Sequence, residues 1–218
     1  MLVIPLRSSN MSQTRILTAA ALAIALTVSA AFAQQQTQRL SGTIERADGN
    51  TIYAKGRDGS AITLKLADNA TITAVLKATV ADIKPGEYIG SGAVPQADGS
   101  QKAVEVHIFA RPQADGGHHY ADWYGAPSGT MTNGFVQPAG TVGVALAGAG
   151  DPSFLVKYPN GEKRIVVPAG AHIVRYAAGD KDDLKAGAPF RAQAAAKQTD
   201  GTYTTSSISV GRDGGRPF

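Results

Sequence analysis

The sequence predicts an all-β fold: two tandem small OB-like β-barrels behind a cleavable N-terminal signal helix. Three observations predict it. Short runs alternate apolar and polar residues around Asp-Gly and Asn-Gly pairs, as in residues 51–55 and 61–66 on either side of Asp58-Gly59. The same landmarks return in the same order about one hundred residues later. One long apolar run stands near the start of the chain, and no other is long enough to suggest a membrane span. A two-sheet sandwich is the alternative architecture for strands of this length.

The first element is the signal. Residues 15–33 read RILTAAALAIALTVSAAFA, a basic residue, an apolar run and then small residues ending in Ala31-Phe32-Ala33. That is the three-part layout of a secretory signal, with cleavage expected before Gln34. Met11 offers a start from which the signal is compact and complete. An uncleaved anchor is the competing reading, and the run falls short of the roughly 20 residues a span needs. No Cys follows, which excludes a lipoprotein anchor, and none occurs anywhere, which excludes disulfides, thiolate metal sites and a Cys nucleophile. The chain has 218 residues, 43% hydrophobic and 17% charged, enough apolar material for a core. Removing Arg7 and Arg15 with the signal leaves 19 basic and 17 acidic residues, a net charge of +2. No Lys/Arg cluster with interleaved aromatics stands out, so nucleic acid is not an expected partner.

The mature chain then divides into a first barrel at 34–111, a linker at 112–129, a second barrel at 130–213 and a tail at 214–218. Thr51-Ile52-Tyr53-Ala54 is matched by Ser153-Phe154-Leu155-Val156, and Asp58-Gly59 by Asn160-Gly161. Ile62-Thr63-Leu64 is matched by Ile165-Val166-Val167, and Ala70-Thr71-Ile72 by Ala171-His172-Ile173. Asp82-Ile83-Lys84-Pro85-Gly86 corresponds to Asp183-Leu184-Lys185-Ala186-Gly187, and Asp98-Gly99-Ser100 to Asp200-Gly201-Thr202. In each copy the Gly of Asp-Gly or Asn-Gly supplies the positive φ of a hairpin turn. Residues 103–109 alternate, which predicts Val104, Val106 and Ile108 on one face. Thr79-Val80-Ala81-Asp82 and Asp180-Lys181-Asp182-Asp183 predict one capped helical turn per copy, stopped at Gly86 and Gly187. About five strands and one helical turn per copy suit a small barrel, whose closure hides strand edges.

Residues 165–214 carry the landmarks Val167-Pro168, Gly179-Asp180-Lys181, Asp183-Leu184-Lys185, Gly187, Asp200-Gly201 and Val210-Gly211-Arg212-Asp213-Gly214. Upstream stands Ser128-Gly129-Thr130-Met131-Thr132-Asn133. With these the chain resembles an uncharacterised family of exported bacterial proteins built from a domain of unknown function. The resemblance implies location and fold rather than activity. Some similar chains carry a label tying them to metal-transporter permeases. This sequence departs from that label, having no apolar span after the signal, and its end at Arg216-Pro217-Phe218 differs slightly from the family's Pro-rich end.

The linker holds the densest chemistry: His118, His119, Tyr120, Asp122, the only Trp (Trp123) and Tyr124. Two imidazoles and a carboxylate are suitable ligands for Zn²⁺, Cu²⁺ or Ni²⁺, so His118, His119 and Asp122 form the candidate metal site. Adjacent His residues in a strand point opposite ways, so one ion takes both only from an irregular loop. The plainer reading is a connector with Trp123 and Tyr124 as an apolar plug between barrels. His107 and His172 read as ordinary strand residues. Tyr53, Tyr88, Tyr158 and Tyr176 read as core and cross-strand packing, with stacking on a ligand as the alternative. Residues 140–150 are Gly-rich but lack the Lys-Ser/Thr of a phosphate loop, and Asp151-Pro152 follows instead of a helix. No G-x-S-x-G, HExxH or EF-hand loop occurs.

These readings lead to an exported non-enzymatic binding or accessory protein, periplasmic or secreted, with no resident cofactor and an unidentified ligand or protein partner. A periplasmic metal-binding factor associated with metal transport is the alternative. An enzyme with a site between the barrels is the third.

Overall fold

Alternation along each strand turns one face inward. In β1 (Thr37–Asp48) the inward residues are Leu40 and Ile44. In β2 (Thr51–Gly56) they are Ile52 and Ala54, while Lys55 is exposed. In β3 (Ala61–Lys77) Ile62, Leu64 and Leu66 are buried. The computed structural model describes residues 37–113, 116–120, 129–138 and 150–217. The signal at 1–33, Asp122, Trp123, Tyr124 and residues 140–149 of the Gly-rich stretch lie outside the described residues. No helix among the described residues is long and apolar enough to cross a membrane.

The remaining strands are β4 (Tyr88–Pro95), β5 (Gln101–Phe109), β6 (Gly117–Tyr120), β7 (Thr130–Val136), β8 (Ser153–Tyr158), β9 (Gly161–Val166), β10 (His172–Ala178), β11 (Pro189–Lys197) and β12 (Tyr203–Arg212). Single 3₁₀ turns at Val80–Asp82 and Lys181–Asp183 stand where the sequence places helical turns. Each is held by a carboxylate three residues after its cap: Asp82 accepts from the Thr79 amide at 2.8 Å, and Asp183 from the Asp180 amide at 3.1 Å.

Three turns repeat one design. In 56–60, 96–100 and 198–202 an Asp carboxylate accepts from the amide and the hydroxyl of the Ser or Thr two residues on, the hydroxyl bonds being 2.6, 2.6 and 2.7 Å. The intervening Gly59, Gly99 and Gly201 adopt φ of 86°, 82° and 81°. Gly56 N donates to Ser60 O and Gly59 N to Gly56 O, so the loop has three residues. Only the Gly needs the left-handed conformation, which a Cβ disfavours.

The strands close two rings. One runs β1–β2–β3–β12–β11 and back to β1, with β3 and β12 parallel and the other pairs antiparallel. The other runs β7–β8–β9–β5–β4 and back to β7, closed by a short parallel contact of Gln101 and Lys102 with Ile165 and Val166. Both follow one OB-like order, so the all-β barrel architecture read from the sequence stands. β6 adds a strand against β7.

Neither barrel, however, is drawn from one copy of the repeat. The sequence reading assigns 34–111 to one barrel and 130–213 to the other. The pairing instead joins the first three strands of each copy to the last two of the other. The two cores show the same exchange. One contains Leu40, Ile44, Ile52, Leu64, Phe190, Ile208 and Val210, and the other Ile89, Val106, Ile108, Val136, Val156 and Ile165. The cause lies in β3. It continues past Leu66 to Lys77, 17 residues in all, roughly 55 Å at about 3.3 Å per residue. That reach carries the chain out of its own barrel. Pro168 interrupts the equivalent strand in the second copy, which resumes as β10 and pairs with both β3 and β5.

One facing differs from the alternation. Val106 and Ile108 are buried, but Val104 is 47% exposed. The register steps from Gly92 opposite Glu105 to Ala93 opposite Ala103, so Val104 is the extra residue of a β-bulge and turns to solvent. Ala103 takes the inward place.

Candidate functional site

All four His residues lie on strands that build or abut the second barrel: His107 on β5, His118 and His119 on β6, and His172 on β10. The first barrel has none.

β6 pairs with β7 in unbroken antiparallel register, His118 opposite Thr132 and His119 opposite Met131. The loop expected around these His residues is therefore a strand where they stand. His118 is half-buried, lies 2.8 Å from Thr132 Oγ1 through Nδ1, and stacks on Tyr158 at 6.2 Å and 21°. Burial, then the charges of Lys163 and His119, push its pKa below the ordinary His value. His119 is exposed. Neighbours on a regular strand point to opposite faces, so His118 and His119 do not converge on one ion. Asp122 lies outside the described residues. Among the described residues no group of three or more His, Asp or Glu is arranged to hold a metal.

His118 instead completes a polar row. Ser91 on β4 stands opposite Thr132 on β7, which stands opposite His118. Ser91 and Thr132 are fully buried, on the face that holds the barrel core. The first barrel has Ala192 opposite Leu40 at the corresponding pair. Two apolar side chains there become two hydroxyls here, and Ser91 Oγ has no hydrogen-bond partner among the described residues. An unsatisfied buried hydroxyl costs about 1–3 kcal/mol, which a bound polar group would offset.

On the outer side a second row crosses both barrels. It runs Thr43, Pro189, Gly211, Val75, Tyr176, Phe109, Tyr88, Phe135, following the strand pairing from β1 to β7. The first-barrel half is small. The second-barrel half is a ladder of rings: Tyr176 stacked on Phe109 at 5.2 Å, Phe109 6.2 Å from Tyr88, and Tyr88 edge-on to Phe135 at 5.1 Å. Phe135 is 44% exposed and Tyr120 is 79% exposed. His107 packs on both Phe109 and Tyr176. Gly90, between these strands, has no room for a Cβ, which would meet Asn133 Oδ1 at 2.5 Å and Phe109 at 3.0 Å.

Behind the ladder, buried Glu105 reaches His107 Nε2 at 3.3 Å, and His172 is its neighbour across the parallel β10–β5 pair. Burial lowers the pKa of His172, with Glu105 opposing and His107 and Arg216 adding to the effect. The sequence reading takes His107 and His172 as ordinary strand residues and leaves Glu105 unremarked. A signal existed: Glu105 and His107 are two apart and so share a strand face, and His172 replaces Thr71 of the first copy. The arrangement offers rings for stacking, hydroxyls for hydrogen bonding, and the imidazoles of His118 and His172, whose pKa values burial holds below the ordinary His value. No family model matches this chain, and neither does any curated protein or solved structure.

Proposed function

We propose that this chain is an exported, non-enzymatic binding or accessory protein whose second barrel carries the principal recognition face. The single observation behind this reading is the asymmetry between two barrels of one topology. All four His residues and the ring ladder ending at exposed Phe135 lie on strands that build or abut the second, and the hydroxyl row Ser91–Thr132 stands there in place of Ala192–Leu40. Duplication supplies a scaffold, and a face changed in one half only is where a second role resides. The exposed rings of the outer side suit a ligand that is at least part apolar, and the buried hydroxyls stand on the opposite, core-facing side of the same strands. The signal layout of residues 15–33 and the resemblance to exported proteins support the compartment.

The test is a ligand screen on the 34–218 chain by amide NMR. Ligands that bind are expected to shift the amides of His118, Thr132, Phe135 and Tyr176 together. Binders that leave all four unmoved would overturn the recognition face. Turnover in a broad hydrolase panel, abolished by His107→Gln or His118→Gln, would overturn the non-enzymatic reading.

A further inference from the structure

The first barrel has a different surface. A cleft of about 470 Å³ lies over Gly42, Gly56 and Gly187, with Lys55, Arg57 and Arg216 among its lining residues. Among the described residues no side-chain carboxylate lines it. A second cleft, of about 500 Å³, shares Gly56 and Arg57 with the first and adds Arg39, Lys197 and Tyr203. Each is the size of a small-molecule site. The two clefts meet at Gly56 and Arg57, and among the described residues five cations line this track.

Four basic residues elsewhere in the fold are held in ion pairs. Lys65, Arg164, Arg175 and Arg212 each sit within 3.5 Å of a carboxylate. Among the described residues none of Arg39, Lys55, Arg57, Lys197 or Arg216 has such a partner, and Arg39 donates only to Gln193. Among the described residues the one acid lining the clefts is Asp58, whose Oδ1 is taken by the Ser60 amide and hydroxyl at 3.0 and 2.6 Å. The floor is bare backbone for a structural reason. A Cβ at Gly42 would collide with the Lys55 carbonyl, and one at Gly56 would meet Asp58 and Ser60. An anion can therefore approach the floor with cations on the rim.

We propose that this track binds an anionic glycan, a chain of sugars carrying carboxylate or phosphate groups, with Arg57 at the junction of the two clefts as its central contact. Cations set on both sides of Arg57 match a ligand with repeated charge better than a single ion. Half-buried Tyr203 presents a ring to one sugar, while Phe190 is fully buried and offers nothing. Nucleic-acid channels stack successive bases on several rings, and this track has one. The binding is electrostatic and weakens steeply with salt.

Calorimetry and amide NMR on the whole chain test this with tetragalacturonic acid as probe. Its methyl ester, inorganic phosphate and a short single-stranded DNA serve as controls. The acid is expected to bind, to shift Gly42, Gly56 and Gly187, and to lose at least tenfold in affinity in Arg57→Gln. The double variant Lys55→Gln/Arg57→Gln should lose binding while keeping the parent Tm. Ester binding as tight as the acid would remove the charge argument and overturn the proposal. Acid binding unchanged in Arg57→Gln overturns it too. Phosphate binding as tight as the acid would reduce the site to one anion. Tighter binding of DNA than of the acid would replace the glycan. A phosphate-bearing oligosaccharide compared with the uronate tells which anion the track prefers. None of these outcomes depends on the second-barrel face.

Discussion

Val75 and Tyr176 stand directly opposite each other where β3 and β10 run antiparallel. They are the same position in the two copies, since Ile72 aligns with Ile173. A pseudo-two-fold axis therefore passes between them. The symmetry extends along the pair: Lys77 opposite Val174 is mirrored by Thr73 opposite Ala178. Each copy crosses this seam to complete the other's barrel.

Cutting the connection between the copies tests this exchange. A protease site inserted between Tyr120 and Gly129, once cleaved, should leave both fragments in one native species. Each fragment supplies strands to both cores, so they part only when the cores unfold. Co-elution in native size exclusion and separation in denaturant is the expected result. Separation in native buffer would refute the exchange.

The shared strands also predict one unfolding transition. Leu64→Ala in the first core and Ile108→Ala in the second each remove a fully buried side chain, at a cost of about 2–5 kcal/mol. Both should lower the same calorimetric Tm, because losing either core frees strands of the other. Two separable transitions, each moved by one substitution, would contradict this.

Gly42 and Gly134 occupy equivalent places, and a Cβ at either would strike a carbonyl of the neighbouring strand, that of Lys55 or Lys157. Gly42→Ala and Gly134→Ala should each destabilise by about 1–3 kcal/mol, read from denaturant midpoints. Gly150→Ala, with no atom of the described residues within 4 Å of its Cβ position, is the neutral control.

Acid should destabilise the fold in two stages. His118 and His172 have lowered pKa values, burial being the first cause in both. The unfolded chain then takes up protons before the folded one, so stability present above about 6.5 is lost as pH falls through the lowered values. Asp58, Asp98 and Asp200 are held low by the hydroxyl and amide two residues on, and Asp82 by the Thr79 hydroxyl and amide. For Glu87 burial pushes up, but Arg175, the Lys84 amide and nearby charge outweigh it. Their sign is the same, one stage lower. Tm against pH should show a shallow fall below the His range and a steeper one below the carboxylate range. His118→Gln should flatten the first, and Asp98→Asn with Asp200→Asn the second. A Tm that rises on acidification through the His range would contradict the assignment.

The regular register of β6 predicts that His118 and His119 hold no common ion. Calorimetric titration with Zn²⁺, Cu²⁺ or Ni²⁺ should give no stoichiometric heat that vanishes in His118→Ala/His119→Ala. A heat lost in that variant would show the two imidazoles meeting at a metal.

The strand-and-turn grammar was open to reading because its causes are local. Alternation makes Ile52, Ala54, Ile62 and Leu64 inward whatever lies opposite. The hydroxyl two residues after Asp58, Asp98 and Asp200 makes the same turn wherever it occurs. The internal match of Asp82-Ile83 with Asp183-Leu184 revealed duplication without reference to any partner. Val104 escaped the pattern because a bulge depends on the register of a second strand.

Which copy's strands close which barrel was decided only in three dimensions. Equivalent strands in two copies carry nearly the same inward pattern, so either pairing satisfies local preference. The length of β3 and the break at Pro168 choose between them by where they deliver the chain. The same holds for the second-barrel face and the cationic track. Ser91, Thr132 and His118 are scattered in sequence, as are Arg39, Arg57, Lys197 and Arg216, and each set becomes a neighbourhood only when strands from both copies lie side by side.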